Sequence, residues 1–209
     1  MPDTEAPHVP RLVAVVAVAM GVAAAGATIG LLWAQVAPAI HGAVALTRDG
    51  ERVRAYLGDE GEHFFVAPFL MLGLLAVLAV LAATLAWQWV AHRGPGMVAG
   101  LSIGLVASAA LAVLVGAQLV HRRYGVVDVE AAPVTPDHRV SYFTEAPPVF
   151  FGQAPMQIAA TLLLPAAAAA LAYALGVTWT HRDDLGGYPP APDLAEPRVT
   201  ADGGAPPGR

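Results

Sequence analysis

Four apolar runs, at about residues 12–36, 64–90, 97–120 and 156–180, dominate this chain, and none of them contains Asp, Glu or Arg. A helix rises about 1.5 Å per residue, so a run of ~20 residues crosses a hydrocarbon core of roughly 30 Å. Backbone polar groups in lipid must be satisfied within the segment, which makes runs of this length helices. The predicted fold is therefore an all-α membrane protein with four transmembrane helices, the lipid bilayer being its first partner. Only 13% of the residues are charged, about half the share of a soluble domain. The first run is longer than the ~7–15 residues of a signal-peptide core, so it reads as a span that is kept. A polar segment at 1–11 precedes it, and a tail at 181–209, rich in Pro, Gly and acids, is expected to be disordered.

Trp33, Trp87, Trp89 and Trp179 lie near span ends, where tryptophan commonly anchors a helix at the headgroup level. Spans two and three are joined only by His92-Arg93-Gly94-Pro95-Gly96, which predicts a tight antiparallel helical hairpin. Pro68 falls in the first turn of the second run, where proline costs little. Pro165, in the middle of the fourth, reads as a static kink rather than a hinge.

The loops at 37–63 and 121–155 lie on one face. Within the first, strand-like residues flank Asp49-Gly50. Asp-Gly in that setting signals a short β-hairpin whose two central residues both take positive φ, a continued helix being the rival. The second loop has a β-branched start at 124–129, then prolines, then apolar Val140-Ser141-Tyr142-Phe143 and Val149-Phe150-Phe151. Together the loops are expected to cap one end of the bundle. Orientation is contested. Counting Arg48, Arg52, Arg54, Arg122, Arg123 and Arg139 puts the long loops in the cytoplasm. Arg11, Arg93 and Arg182, which directly abut spans, favour cytoplasmic termini.

In span three, Gly96, Gly100, Gly104, Ser108, Ala112 and Gly116 recur at every fourth residue, with a shorter version, Gly26, Gly30 and Ala34, in span one. Small residues on one helix face let backbones approach closely. The stripe is expected to pack inside this bundle rather than against a partner membrane protein or a second copy, and Leu105, off the stripe, is expected to tolerate truncation better. Gln35, Gln88, Gln118 and Gln157 are the notable polar residues, all near span ends.

The sequence nominates no catalytic, cofactor-binding or metal-binding residue. There is no cysteine, which removes thiolate catalysis and Cys-ligated metals, and a net charge of −5 gives no footprint for nucleic acid. Charge-free spans argue against a coupled pump. Ser102, Ser108 and Ser141 lack a nucleophile-elbow context, and no phosphate-binding glycine motif occurs. Asp59, Glu60, Glu62 and His63 in the first loop, and Asp128, Glu130, Asp137, His138 and His121 in the second, are metal-ligand types. They show no ligand spacing and read as solvated loop charge.

Gly58-Asp59-Glu60-Gly61-Glu62-His63-Phe64-Phe65, Arg123-Tyr124-Gly125-Val126-Val127-Asp128, Pro147-Pro148-Val149-Phe150-Phe151-Gly152 and Asp183-Asp184-Leu185-Gly186 resemble a family of uncharacterised actinobacterial membrane proteins, a domain of unknown function. The resemblance covers roughly residues 12–188. It implies four spans in the cell membrane with both long loops outside, and no activity or site residue. The function expected from the sequence is that of a non-enzymatic accessory or scaffold protein. The alternatives are a passive facilitator of an apolar or small solute, or a membrane enzyme using the loop carboxylates and histidines.

Overall fold

The structure, a computed structural model, describes residues 9–125, 127–180 and Leu185. Four helices carry it: α1 (Arg11–Val36), α2 (His63–Gln88), α3 (Pro95–Tyr124) and α4 (Pro155–Thr178). Each is long and apolar enough to cross a membrane. Proline opens α3 and α4 at a position where its missing N–H costs no helical bond. At α4 the Gln157 side-chain oxygen also turns back to accept the Ala154 N–H at 3.2 Å. The expected tail lies outside the described residues, Leu185 apart.

Three strands lie between the helices: β1 (Ile40–Leu46), β2 (Arg52–Tyr56) and β3 (Val140–Glu145). They form one antiparallel sheet in the order β2-β1-β3. Val44 pairs with Arg54 on one side and Ser141 on the other. The first loop therefore folds as the expected hairpin, and the second adds a strand to it. The β-branched stretch after Tyr124 is not that strand; Val140–Glu145 is.

The turn differs from expectation in its chemistry. Gly50 N–H donates to the Thr47 carbonyl at 3.2 Å and Thr47 N–H to the Glu51 carbonyl at 2.8 Å. Gly50 has φ +83, while Asp49 is not in the positive-φ region. This is a three-residue loop, a tight turn followed by one left-handed residue, and so it needs a single glycine rather than two residues at positive φ.

The closest-packed pair of helices is α1 with α3. A Cβ added at Gly104 would lie 2.7 Å from the Ala19 carbonyl oxygen, and one at Gly30 would lie 2.5 Å from that of Ala112. Gly26 sits against the Ser108 backbone and Gly116 against the Trp33 ring. Partner positions rise together along both helices, so α1 and α3 run parallel, and the two small-residue stripes form one seam within the chain. The other side of α3 presents Leu101 and Leu105 to α2 and α4, where they meet Ala79, Ala82, Ala83, Ala86, Ala169 and Tyr173. Leu105 is completely buried, which overturns the expectation that it would tolerate truncation. The link between α2 and α3 is short, as expected, but α3 makes its closest approach to α1. Helices α1 and α4 lie on opposite sides of the α2–α3 pair.

Two further expectations change. Trp33 is no interface anchor: it is fully buried, and its Nε1–H donates to the Ala67 carbonyl at 2.8 Å. Trp179, by contrast, is 79% exposed. Pro68 is not in the first turn but the sixth residue of α2, and it is buried, as is Pro165 inside an unbroken α4. Gln35, Gln88 and Gln118 face outward.

Candidate functional site

The cap concentrates what polar chemistry the described residues hold. The helical turn Glu60–Glu62 leads directly into α2, which places the Glu60 carboxylate beside the start of β1. One of its oxygens accepts the His41 backbone N–H at 2.6 Å, and both accept from the His41 ring, Nδ1 lying 2.8 and 2.9 Å away. The His63 Nδ1–H donates to the Ala39 carbonyl at 2.8 Å, with a Glu60 oxygen 3.5 Å from the same nitrogen. The backbone hydrogen bond from His41, followed by its ring, holds the Glu60 carboxyl below its ordinary value of 4.5.

Asp59, Glu60, Glu62 and His63 share an open groove of 520 Å³ with Val36, Pro38, Val66 and Leu70. No serine or threonine lines it. The second-loop group stays apart. The Asp128 side chain accepts the Glu130 and Ala131 N–H groups at 2.9 and 3.3 Å. Thr135 and His138 close a turn around Asp137, and the His121 ring donates to the Ala117 carbonyl at 2.7 Å within α3. The Glu130 backbone carbonyl accepts from Arg52. Among the described residues no three His, Asp or Glu side chains gather as a metal-ligand set. Ser108 lies in the α1–α3 seam, buried, with no partner for its hydroxyl.

Neither the contact of His41 with Glu60 nor the ion pair between Arg54 and Glu145 at 3.2 Å is visible in the sequence. Arg54 reaches from β2 across β1 to β3, passing 5.4 Å above the Phe143 ring. Gly42 makes room: a Cβ there would collide with that ring. The two members of this pair are 91 residues apart in sequence, so only strand pairing reveals it. What the arrangement does chemically is clasp. Glu60 ties β1 to the start of α2, and Arg54–Glu145 ties the two loops together.

A four-helix bundle of membrane type, with a three-stranded antiparallel sheet built from two loops over one end, is the class this fold defines. The chain belongs to the family described as "Protein of unknown function (DUF2567)", whose pattern matches residues 22–187. It is 55% identical to an uncharacterised protein of Mycobacterium tuberculosis over 183 residues, 87% of this chain and 95% of that relative. It is 57% identical to an uncharacterised protein of Mycobacterium leprae over 178 residues, 85% of this chain and 90% of that relative. No solved structure matches the chain. Two of the segments that carried the resemblance have structural work to do, while that at 183–186 lies outside the described residues, Leu185 apart. Gly58–Phe65 forms the Glu60 turn and opens α2, and Phe151 packs edge-on against Phe69 with ring centres 4.8 Å apart.

Proposed function

We propose that this chain is a multi-pass protein of the cell membrane that acts as a non-enzymatic accessory or scaffold subunit, presenting its cap to a membrane-protein partner. The supporting observation is the construction of the cap itself. Two loops that have no need to meet are joined in one sheet and fastened by Arg54–Glu145 and His41–Glu60. The sheet ends in two edge strands, β2 and β3, and carries Tyr142 at 74% exposure on one of them. Unpaired strand edges are ready templates for a further chain. The small-residue seam, the other candidate for a partner interface, is already filled by α1.

The termini are cytoplasmic in this reading and the cap extracytoplasmic, because Arg11 and Arg93 abut spans at the end away from the cap. A solute passage is disfavoured by the bundle centre, where Met71, Leu75, Leu101 and Leu105 are all buried to 1% exposure or less. A photo-cross-linking residue in place of Tyr142, activated in native membranes, tests the proposal. A discrete adduct with one membrane protein is expected, and none from the same residue placed at Trp179. A chain that cross-links to lipid alone from position 142 would refute the scaffold reading.

A further inference from the structure

The two edges of the cap sheet differ in what they offer another strand. Leu46 N–H donates to the Arg139 carbonyl at 2.8 Å, so the backbone groups of Arg139 point at β1. Such groups alternate in direction along an antiparallel strand. Ser141, Phe143 and Glu145, opposite Val44, Gly42 and Ile40, therefore also turn theirs to β1. Val140, Tyr142 and Thr144 turn theirs outward. Among the described residues no backbone group outside the sheet bonds to these three. On the opposite edge Thr47 N–H meets the Glu51 carbonyl and Leu57 N–H that of His41. By the same alternation Arg52, Arg54 and Tyr56 of β2 have outward groups.

Side chains separate the two edges. A second β2 laid antiparallel against the first, centred on Val53 or Arg54, sets arginine opposite arginine. Like charges directly opposite destabilise a pair, and charged residues commonly guard an edge in this way. From Val140 to Thr144, by contrast, β3 is uncharged. Arg139 precedes that stretch and Glu145 ends it, each three residues from Tyr142.

A copy of β3 laid antiparallel with Tyr142 opposite Tyr142 brings outward groups against outward groups, Val140 facing Thr144 on either side of the centre. The same register sets Arg139 opposite Glu145 at both ends. A centre at Ser141 would oppose Glu145 to Asp137, and one at Phe143 would set Glu145 against Ser141. Glu145 already accepts from Arg54 at 3.2 Å, but a carboxylate has about four lone-pair sites, enough for a second guanidinium. Arg139 engages its Nε–H with the Pro136 carbonyl at 3.1 Å, and among the described residues its terminal nitrogens have no partner. Ile40, Gly42 and Val44 are buried on one face of the sheet, whereas Val140 and Tyr142 on the other are exposed. The two-fold axis of such a pair stands perpendicular to the sheet. With the buried face toward the membrane, both copies are inserted in the same sense.

We propose that β3 joins two copies of this chain, their caps forming one continuous antiparallel sheet about a two-fold axis at Tyr142. The proposal rests on the reading of the cap as a docking surface and names its partner. A strand of unrelated sequence would meet the outward backbone groups, but a second copy answers Arg139 and Glu145 together by symmetry.

The test uses the full chain in native membranes, oxidised mildly after single cysteines are placed in a protein that has none. Directly opposed residues of a hydrogen-bonded pair lie about 5.5 Å apart at Cα, within reach of a disulfide. Tyr142→Cys should therefore give a covalent dimer of the chain. Val140→Cys should react at least about tenfold more slowly, because the two copies of that residue are offset by about 14 Å along the strands. Arg139→Glu added to Tyr142→Cys opposes two carboxylates at each end and should slow the disulfide at least about fivefold. Arg139→Lys, which keeps the charge and loses the Pro136 bond, should restore the rate. A Tyr142→Cys chain that stays monomeric, that reacts no faster than Val140→Cys, or that is indifferent to Arg139→Glu would overturn the proposal. The two readings fail differently. A photo-adduct from position 142 with a different membrane protein, without a self-disulfide, overturns the second copy and leaves the scaffold reading standing. Adducts with lipid alone, again without a self-disulfide, overturn both.

Discussion

Gly104 has its backbone against that of Ala19, with hypothetical Cβ distances of 2.7 Å to the carbonyl oxygen and 2.9 Å to Cα. Backbone cannot swing aside as a flexible side chain does, so Gly104→Leu must pry α1 from α3. We expect a loss of about 3 kcal/mol or more, the upper range for overpacking, read as a lower melting temperature in detergent. Leu105→Ala belongs in the same severe class, about 2–5 kcal/mol, because it empties a fully buried site. Ile103, 68% exposed, is the appropriate control, and Ile103→Ala should melt as the wild type does. Trp33→Phe keeps most of the ring but leaves the Ala67 carbonyl without its indole donor, a cost of about 1 kcal/mol. The Glu60 clasp adds a pH dependence. Its carboxyl titrates below the ordinary 4.5 because His41 favours the charged form, so its contribution is fully present above that value and is lost as pH falls through the lowered one. Glu60→Gln should accordingly melt below the wild type at neutral pH, and the difference should close under acid. A difference that persists unchanged would show that the carboxylate charge is not what holds β1.

At the scale of elements, the hairpin between β1 and β2 depends on one backbone conformation. Gly50→Val places a β-branched residue at φ +83, where an L-residue is strained by roughly 1–2 kcal/mol. The expected outcome is local: faster amide exchange over Ile40–Leu46 and Arg52–Tyr56, with exchange in α1–α4 unchanged. Exchange protection equal to wild type in both strands would show that the turn tolerates side chains. The hairpin was legible because turn residues and β-branched neighbours are local signals. The third strand was only half legible. Its apolar residues stood out, but what makes Val140–Glu145 a strand is pairing with β1, a contact between loops separated by two spans. Trp33 was misplaced for a related reason. Position near a span end suggests the headgroup layer, but only the approach of α2 shows that the ring is enclosed and its N–H answered by a carbonyl.

For the whole molecule, the decisive experiment concerns which end of the bundle faces which side of the membrane. Alkaline phosphatase, active only outside the cytoplasm, fused after Gly50 should be active, and fused at the C-terminus it should be inactive. The opposite pattern would place the cap in the cytoplasm and reverse the proposed orientation. The same bundle assigns the candidate residues of the loops. Glu60 and His41 come together because the turn before α2 returns to β1. Asp128 and His138 spend their hydrogen bonds on local turns of the other loop, and sequence proximity to a charged cluster carried no information about that.

The four long apolar helices and the presence of close-packing stripes followed from the sequence, since an apolar surrounding demands long uncharged runs and close helix approach demands small residues at a fixed spacing. These are properties of a segment and its solvent, and they need no knowledge of neighbours. Which helix fills the stripe, where the second loop joins the sheet and which histidine meets Glu60 were decided only by the tertiary structure. Each depends on the separation of groups far apart in the chain. A sequence with no long-range signal such as a charge inside a span leaves those separations open until the helices are packed.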